Sequence, residues 1–121
     1  MFKQALEKIV ERTAGAVGAL IMGTDGISVE KVILPEGRNS NLDVVAAEFT
    51  SLLRSAQKAG SDTGAGSVRE LIVSLDEFTV VMRLFTKEYF MVLAVSPDGN
   101  LGRGRYELRK AELDLAAEFA L

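Results

Sequence analysis

Two short runs of the sequence are almost wholly apolar, and they constrain the fold more than any other feature. Residues 16–23 read Ala-Val-Gly-Ala-Leu-Ile-Met-Gly, and residues 89–95 read Tyr-Phe-Met-Val-Leu-Ala-Val. Both runs are too short for a buried helix, and a strand that is apolar on both sides needs cover on both faces of its sheet. The chain is therefore expected to place helices on the two faces of a central sheet.

Apolar residues at helical spacing supply these covering layers. The spacing predicts helices over residues 2–13, from 42 to about 59, and from about 101 onward. Gly60 marks the predicted end of the middle helix. The core-facing stripe of that helix is Leu42, Val45, Ala46, Phe49, Leu53 and Ala56.

The remaining apolar segments predict five strands. Asp25-Gly26 between the first two segments is a strong hairpin signal, because Gly adopts a positive φ without strain. The element order α-β-β-α-β-β-β-α predicts an α/β fold: a five-stranded, mainly antiparallel sheet sandwiched by helices, in a single domain over residues 1–121. The predicted strands are 16–23, 27–34, 68–75, 78–85 and 89–95.

The chain contains no Cys and no His among its 121 residues. Their absence removes thiol nucleophiles, histidine acid–base catalysis and the usual zinc sites. Asp, Glu, Lys and Tyr are not concentrated near one predicted cleft. The sequence therefore predicts a protein that is not an enzyme and that needs no cofactor and no metal.

The formal net charge of −3 gives no sign of nucleic-acid binding, which normally shows a basic excess. A short basic cluster, interpreted as a solvated helix face, is formed by Arg103, Arg105, Arg109 and Lys110. No apolar run approaches the roughly 20 residues of a membrane span, and the charged amphipathic N-terminus is not a signal peptide. A cytoplasmic location is expected.

Two Gly-rich stretches could in principle hold a phosphate. Residues 60–67 lack the Gly-Lys-Ser/Thr ending of a P-loop and run from helix to strand, so a connector is favoured. Residues 99–105 do lead into a helix, where free amides could hold an anion. Without a βαβ context the favoured interpretation is a turn followed by a helix N-terminus.

The most informative pattern lies on the middle helix, opposite its core stripe. Small, weakly polar side chains occupy this outer line, where a lone surface helix normally shows long charged ones. Short side chains let another helix approach closely, and a second copy of the same helix is the commonest such partner. The alternative is a surface helix that is merely short of charge. The outer line is Val44, Ala47, Ser51 and Ser55, with Glu48, Arg54 and Lys58 as its charged rim.

The element order and two local segments resemble the Roadblock/LC7 family over nearly the whole chain. Residues 18–29 read Gly-Ala-Leu-Ile-Met-Gly-Thr-Asp-Gly-Ile-Ser-Val in the first hairpin. Asn100-Leu101-Gly102 with Arg105 begins the last helix, where family members commonly place a similar segment. The resemblance implies the predicted sandwich, with profilin-like layers.

The resemblance also implies a homodimer or heterodimer in which the middle helices lie side by side and the third strands pair edge to edge. This adds Val68, Glu70 and Ile72 to the candidate interface. Family members serve as motor light chains, as scaffold subunits and as partners of small Ras-like GTPases. The first hypothesis is therefore a dimeric adaptor that binds and regulates such a GTPase, with Arg54 or Arg38 as a candidate arginine supplied to the phosphoryl-transfer site.

Two other classes of function remain open. The chain could be a structural scaffold or light-chain subunit with no effect on nucleotide turnover. It could also be a small-molecule sensor of the PAS or GAF type, although the dense apolar strands leave little room for the internal cavity that such a sensor needs.

Overall fold

The helices and strands follow the order that the sequence predicts. The computed structural model describes residues 2–35 and 41–119. It confirms the predicted α-β-β-α-β-β-β-α arrangement around one five-stranded sheet. The elements are α1 (Phe2–Arg12), β1 (Ala16–Gly23), β2 (Ser28–Ile33), α2 (Leu42–Asp62), β3 (Glu70–Ser74), β4 (Thr79–Leu84), β5 (Tyr89–Val95) and α3 (Leu101–Phe119).

The strands lie side by side in the order β2-β1-β5-β4-β3, and every neighbouring pair is antiparallel. The two almost wholly apolar runs form β1 and β5, which lie next to each other inside the sheet. Both are buried along most of their length. The prediction that these runs need cover on both faces is confirmed.

Each face of the sheet has its own apolar core. On one face, Leu6 and Ile9 of α1 and Leu108 of α3 pack against β1 and β5. On the other face, Ala46 and Leu53 of α2 pack against the alternate residues of the same strands. The sheet is thus sandwiched between an α1/α3 layer and the single helix α2.

Two predicted boundaries were wrong. Helix α2 continues through Gly60 to Asp62, because a single Gly costs a helix only about 1 kcal/mol and does not by itself end it. The helix ends before Gly64, whose φ of 75° is left-handed. Strand β3 begins at Glu70 instead of Val68, because the backbone N–H of Val68 donates to Gln57 Oε1 of α2 at 2.8 Å.

Candidate partner interface

The outer line of α2 is exposed, as the spacing predicts. Val44 exposes 59% of its surface, and Ala47, Ser51 and Ser55 are also exposed. The Ser51 hydroxyl donates to the Glu48 carbonyl of its own helix at 3.2 Å, which leaves the line short and nearly free of charge. Such a surface allows the backbone of a second helix to approach closely.

The charged rim of α2 makes contacts within its own chain. The guanidinium of Arg54 donates from Nη1 to the Thr24 carbonyl in the β1–β2 hairpin at 2.6 Å. The Lys58 ammonium pairs with Asp62 one turn later at 2.5 Å. Arg54 is therefore an exposed side chain that is held against the hairpin and does not project freely.

A second polar contact on the same flank of α2 joins this helix to β2. The Lys31 ammonium donates to Asp43 at 2.5 Å. This hydrogen bond is the main reason why the pKa of the Asp43 carboxyl lies below its ordinary value. Because Asp43 and Arg54 both reach the β2 side, the opposite flank of α2 lies over the β3 side of the sheet.

That opposite flank is apolar and only partly covered, a feature that the sequence reasoning missed. Val45 and Phe49 are half-buried against the same core as Leu71 and Val73 of β3. Leu52 continues the flank and exposes 44% of its surface. The spacing of residues 45, 49 and 52 contains this signal, but Val45 and Phe49 also fit the core stripe and Leu52 fits neither the stripe nor the outer line.

The backbone of β3 is unpaired along its outer edge within the described residues. The Arg69 carbonyl accepts from the Leu84 N–H at 3.2 Å, and the Leu75 N–H donates to the Phe78 carbonyl at 2.9 Å. Because bonding directions alternate along an edge strand, every second residue between these two faces away from β4. The residues that present their N–H and C=O groups outward are Glu70, Ile72 and Ser74.

The other edge of the sheet is protected in ways that β3 is not. Strand β2 carries Lys31, which is tied to α2, and Pro35 follows the strand. A register shift between Ile21 and Met22 distorts the pairing of β1 with β2. Lysine, proline and bulges are common devices against edge-to-edge pairing, so β3 is the edge that is open to another strand.

The side chains of Glu70 and Ile72 lie on the α1/α3 face, away from α2, whereas Val68, which precedes β3, packs on the α2 face. Ile72 pairs with Val81 of the α1/α3 core and exposes 39% of its surface. Glu70 accepts from Arg83 at 3.0 Å and from Arg105 of α3 at 2.7 Å. Arg83 also binds Glu112. The candidate interface residues thus fall on two faces of the sheet that meet along the edge of β3.

The start of α3 is capped from within the chain, and the two arginines nearest to it form ion pairs. The side chain of Asn100 accepts from the Arg103 N–H at 2.9 Å and caps the helix. Arg103 is bound to Glu107 at 2.7 Å, and Arg105 is bound to Glu70. The interpretation of this stretch as a turn and a helix start agrees with these contacts, which place Arg103 and Arg105 in ion pairs and not on a merely solvated face.

Arg38 lies outside the described residues. Across residues 2–35 and 41–119, no group of three or more acidic side chains is arranged to hold a metal ion. In the same ranges, no helix combines the length and the apolar character that a bilayer crossing requires.

Comparisons with known proteins agree with this architecture. A family model described as the Roadblock/LC7 domain matches residues 3–96. MglC from Myxococcus xanthus is 36% identical, with 95% of this chain and 96% of that chain covered and a TM-score of 0.72. No curated protein matches the chain significantly.

Two more distant structures share the fold. The Roadblock/LC7 domain from Streptomyces avermitilis has a TM-score of 0.84 at 18% identity, with 98% of each chain covered. MglB from Myxococcus xanthus has a TM-score of 0.85 at 13% identity, with 98% of this chain and 94% of that chain covered.

Proposed function

The chain belongs to the Roadblock/LC7 domain family, and we propose that it works as a dimer that binds and regulates a small Ras-like GTPase. The observation that carries the dimer is the unpaired edge of β3 beside the partly covered apolar flank of α2. Members of this family serve as partners of such GTPases, and that membership carries the GTPase part of the proposal.

The unpaired backbone groups define how two copies would join. Three alternate residues face outward, so an antiparallel pair with its two-fold axis at Ile72 uses all of them. Glu70 then lies opposite Ser74 of the second copy, and Ile72 lies opposite its own counterpart. The resulting sheet is continuous across the dimer and leaves no free edge at β3.

The partly covered flank of α2 supports the same arrangement. Val45, Phe49 and Leu52 lie on the β3 side of the helix, so two copies joined at β3 bring these flanks toward each other. Ser55 of the outer line adjoins Leu52 one turn later, and its short side chain lets the second helix lie close. Apolar surface that water reaches in one copy is then removed from water in the dimer.

The oligomeric state tests the first half of the proposal. Light scattering on the wild type is expected to give the mass of a dimer, and Leu52→Arg is expected to give a monomer because the long charged side chain separates the apolar flanks of the two helices. Leu113→Arg places the same change on the exposed surface of α3 and is expected to leave the dimer intact. A monomeric wild type at high concentration would contradict the interface.

Binding tests the second half. Candidate Ras-like GTPases in the GDP state and in a GTP-analogue state are titrated with the wild type and with Leu52→Arg. We expect binding to one nucleotide state, with a loss in the monomeric variant. If the wild type is a dimer but no candidate GTPase binds it detectably in either nucleotide state, the GTPase role is refuted and the dimer is not.

A scaffold or light-chain subunit is the second candidate, and the position of Arg54 favours it. An arginine that supplies charge to a GTPase must reach the partner, whereas Arg54 is bound to the Thr24 carbonyl. If Arg54→Ala leaves any stimulated hydrolysis rate unchanged, this arginine has no catalytic role. A stable complex that contains the dimer but no GTPase would favour the scaffold.

A further inference from the structure

The segment that leads into β3 is held against the end of α2 by two hydrogen bonds. The Val68 N–H donates to Gln57 Oε1 at 2.8 Å, and both residues are partly buried. The Gly66 N–H donates to the Gly60 carbonyl at 3.1 Å. Gly60 allows this close approach, because a Cβ there would overlap the Gly66 carbonyl oxygen.

The bond to Gln57 lies where the outward edge of β3 would otherwise continue. Glu70, Ile72 and Ser74 present their backbone groups outward, and the next residue of this alternating series is Val68. In a continued strand, Val68 would share a face with Glu70 and Ile72. Its side chain packs instead on the α2 face, and its N–H is occupied by Gln57. The free edge of the strand therefore ends at Glu70.

The other end of this edge is closed by the turn between β3 and β4. The Leu75 N–H donates to the Phe78 carbonyl, so residues 76 and 77 leave the line of the strand. The free edge is thus bounded on both sides. It has Ile72 at its centre and one outward residue on each side of it.

The length of the free edge decides the register in which two copies pair. Two outward residues that lie opposite each other exchange two hydrogen bonds. An axis at Ile72 sets Glu70 against Ser74 at both ends and Ile72 against its counterpart, which makes three such pairs. An axis at Leu71 sets Glu70 against Ile72 twice and makes only two. The register about Ile72 is therefore preferred while Val68 is bound to α2.

Release of Val68 would reverse this preference. If the strand continued by two residues, the N–H and C=O groups of Val68 would join the outward series. An axis at Leu71 would then add Val68 against Ser74 at both ends and make four pairs. The axis at Ile72 would still make three, because Val68 would lie opposite the β3–β4 turn.

We infer that Gln57 sets the register of the dimer by binding the Val68 N–H, so that two copies pair about Ile72. This inference rests on the dimer of the proposed function. Gln57 is a positioning residue, because it acts through the backbone of Val68 and determines which residues of the edge are available to the second copy.

Disulfide cross-linking measures the register, because the chain has no Cys of its own. With the axis at Ile72, Ile72→Cys places the two thiols on opposed residues whose Cα atoms are about 5.5 Å apart, within disulfide range. Leu71→Cys then places the Cα atoms about 7–8 Å apart, which is too far for a disulfide. With the axis at Leu71, the two variants exchange these roles.

Gln57→Leu removes the acceptor and keeps a good helix former. In this background, we expect the ratio of the cross-linking rate of Leu71→Cys to that of Ile72→Cys to rise at least about tenfold, because the shifted register gains hydrogen bonds. Gln57→Glu retains an oxygen acceptor and is expected to keep the wild-type ratio. Gln4→Leu makes the same change on the exposed surface of α1 and is also expected to keep it.

Amide hydrogen exchange tests the bond itself in a chain that retains Gln57. In the monomeric Leu52→Arg variant, the Val68 N–H is expected to exchange at least about tenfold more slowly than the outward N–H of Ile72. Equal exchange of these two amides would show that Val68 is already free and would overturn the inference.

The cross-linking outcomes separate this inference from the dimer itself. If Leu71→Cys already cross-links faster than Ile72→Cys in the wild type, or if Gln57→Leu leaves the ratio unchanged, the dimer stands and the role of Gln57 is refuted. A shift of the same size in Gln4→Leu or Gln57→Glu, or a folded but monomeric Gln57→Leu, has the same consequence. A wild type that is monomeric in light scattering and cross-links through neither cysteine refutes the proposed dimer and this inference together.

Discussion

Gly15 lies where two turns of the backbone are in contact, and a side chain at this position would hold them apart. It has a φ of +84°, and a Cβ built there would lie 2.4 Å from the Cα of Gly99 in the β5–α3 turn. The two turns are joined by hydrogen bonds from the Ser96 N–H to the Gly15 carbonyl and from the Asn100 N–H to the Ala14 carbonyl, both 2.8 Å. Backbone therefore lies against backbone, where no side chain can move aside.

Gly15→Ala is expected to lower the free energy of unfolding by about 3 kcal/mol, because a left-handed φ and overpacking against backbone both oppose it. Gly26→Ala is the matched control. Its φ is +86°, but nothing lies within 4 Å of the added Cβ. We expect it to cost only about 1 kcal/mol. Urea unfolding at one protein concentration measures both, and equal losses would show that the turns can separate freely.

The Lys31–Asp43 pair predicts a pH dependence of stability. The pKa of Asp43 is lowered in the folded state, so the pair contributes stability above the ordinary range of an aspartate pKa and loses it as the pH falls through the lowered value. Lys31→Met is expected to cost at most about 1 kcal/mol at pH 7, since both side chains are partly solvated. The cost should disappear well below pH ~4.

Unfolding curves of the wild type and of Lys31→Met across this pH range provide the measurement. Lys87→Met removes an exposed lysine from the β4–β5 loop and serves as the control, with no expected pH-dependent difference. A cost of Lys31→Met that stays constant down to the acid limit would mean that the lysine stabilises β2 by something other than its charge.

At the scale of elements, neighbouring residues of β3 direct their N–H groups to opposite edges of the strand. A proline is therefore expected to have a different effect at each of them. The Ile72 N–H faces outward, so Ile72→Pro leaves the β3–β4 ladder intact and is expected to give a folded monomer. The Val73 N–H faces β4, so Val73→Pro leaves a carbonyl of that strand without its donor and is expected to cost about 1–3 kcal/mol of stability.

Light scattering and thermal unfolding distinguish the two proline variants. A dimeric Ile72→Pro would show that the chains do not pair along β3. If Ile72→Pro were as unstable as Val73→Pro, the assignment of outward and inward residues on this strand would be wrong.

At the scale of the whole molecule, association is expected to contribute to stability. If the dimer is the folded form, its melting temperature rises with protein concentration, since a partner at a hundredfold excess over Kd adds about 2.7 kcal/mol. Differential scanning fluorimetry over such a concentration range is expected to show a rise of several degrees for the wild type and none for Leu52→Arg. A flat wild-type curve would indicate that the dimer adds nothing to the fold.

The sequence by itself determined the layers of this protein. The apolar runs at 16–23 and 89–95 had to be central strands because neither leaves a polar side for water, and the stripe from Leu42 to Leu53 placed α2 on the sheet. The element order followed from the same patterns, and the resemblance of that order and of residues 18–29 to Roadblock/LC7 proteins indicated the family. Periodicity carries this information because it records which sides of one element meet water, which is a local property.

Only the tertiary structure decided which surfaces meet. Arg54 is bound to a carbonyl 30 residues away, and Glu70 is bound to Arg105 on a helix 35 residues later. The direction of the apolar flank of α2 and the first residue of β3 likewise depend on contacts between elements. Spacing within one helix or strand contains no information on these contacts, because they form only when distant parts of the chain pack together.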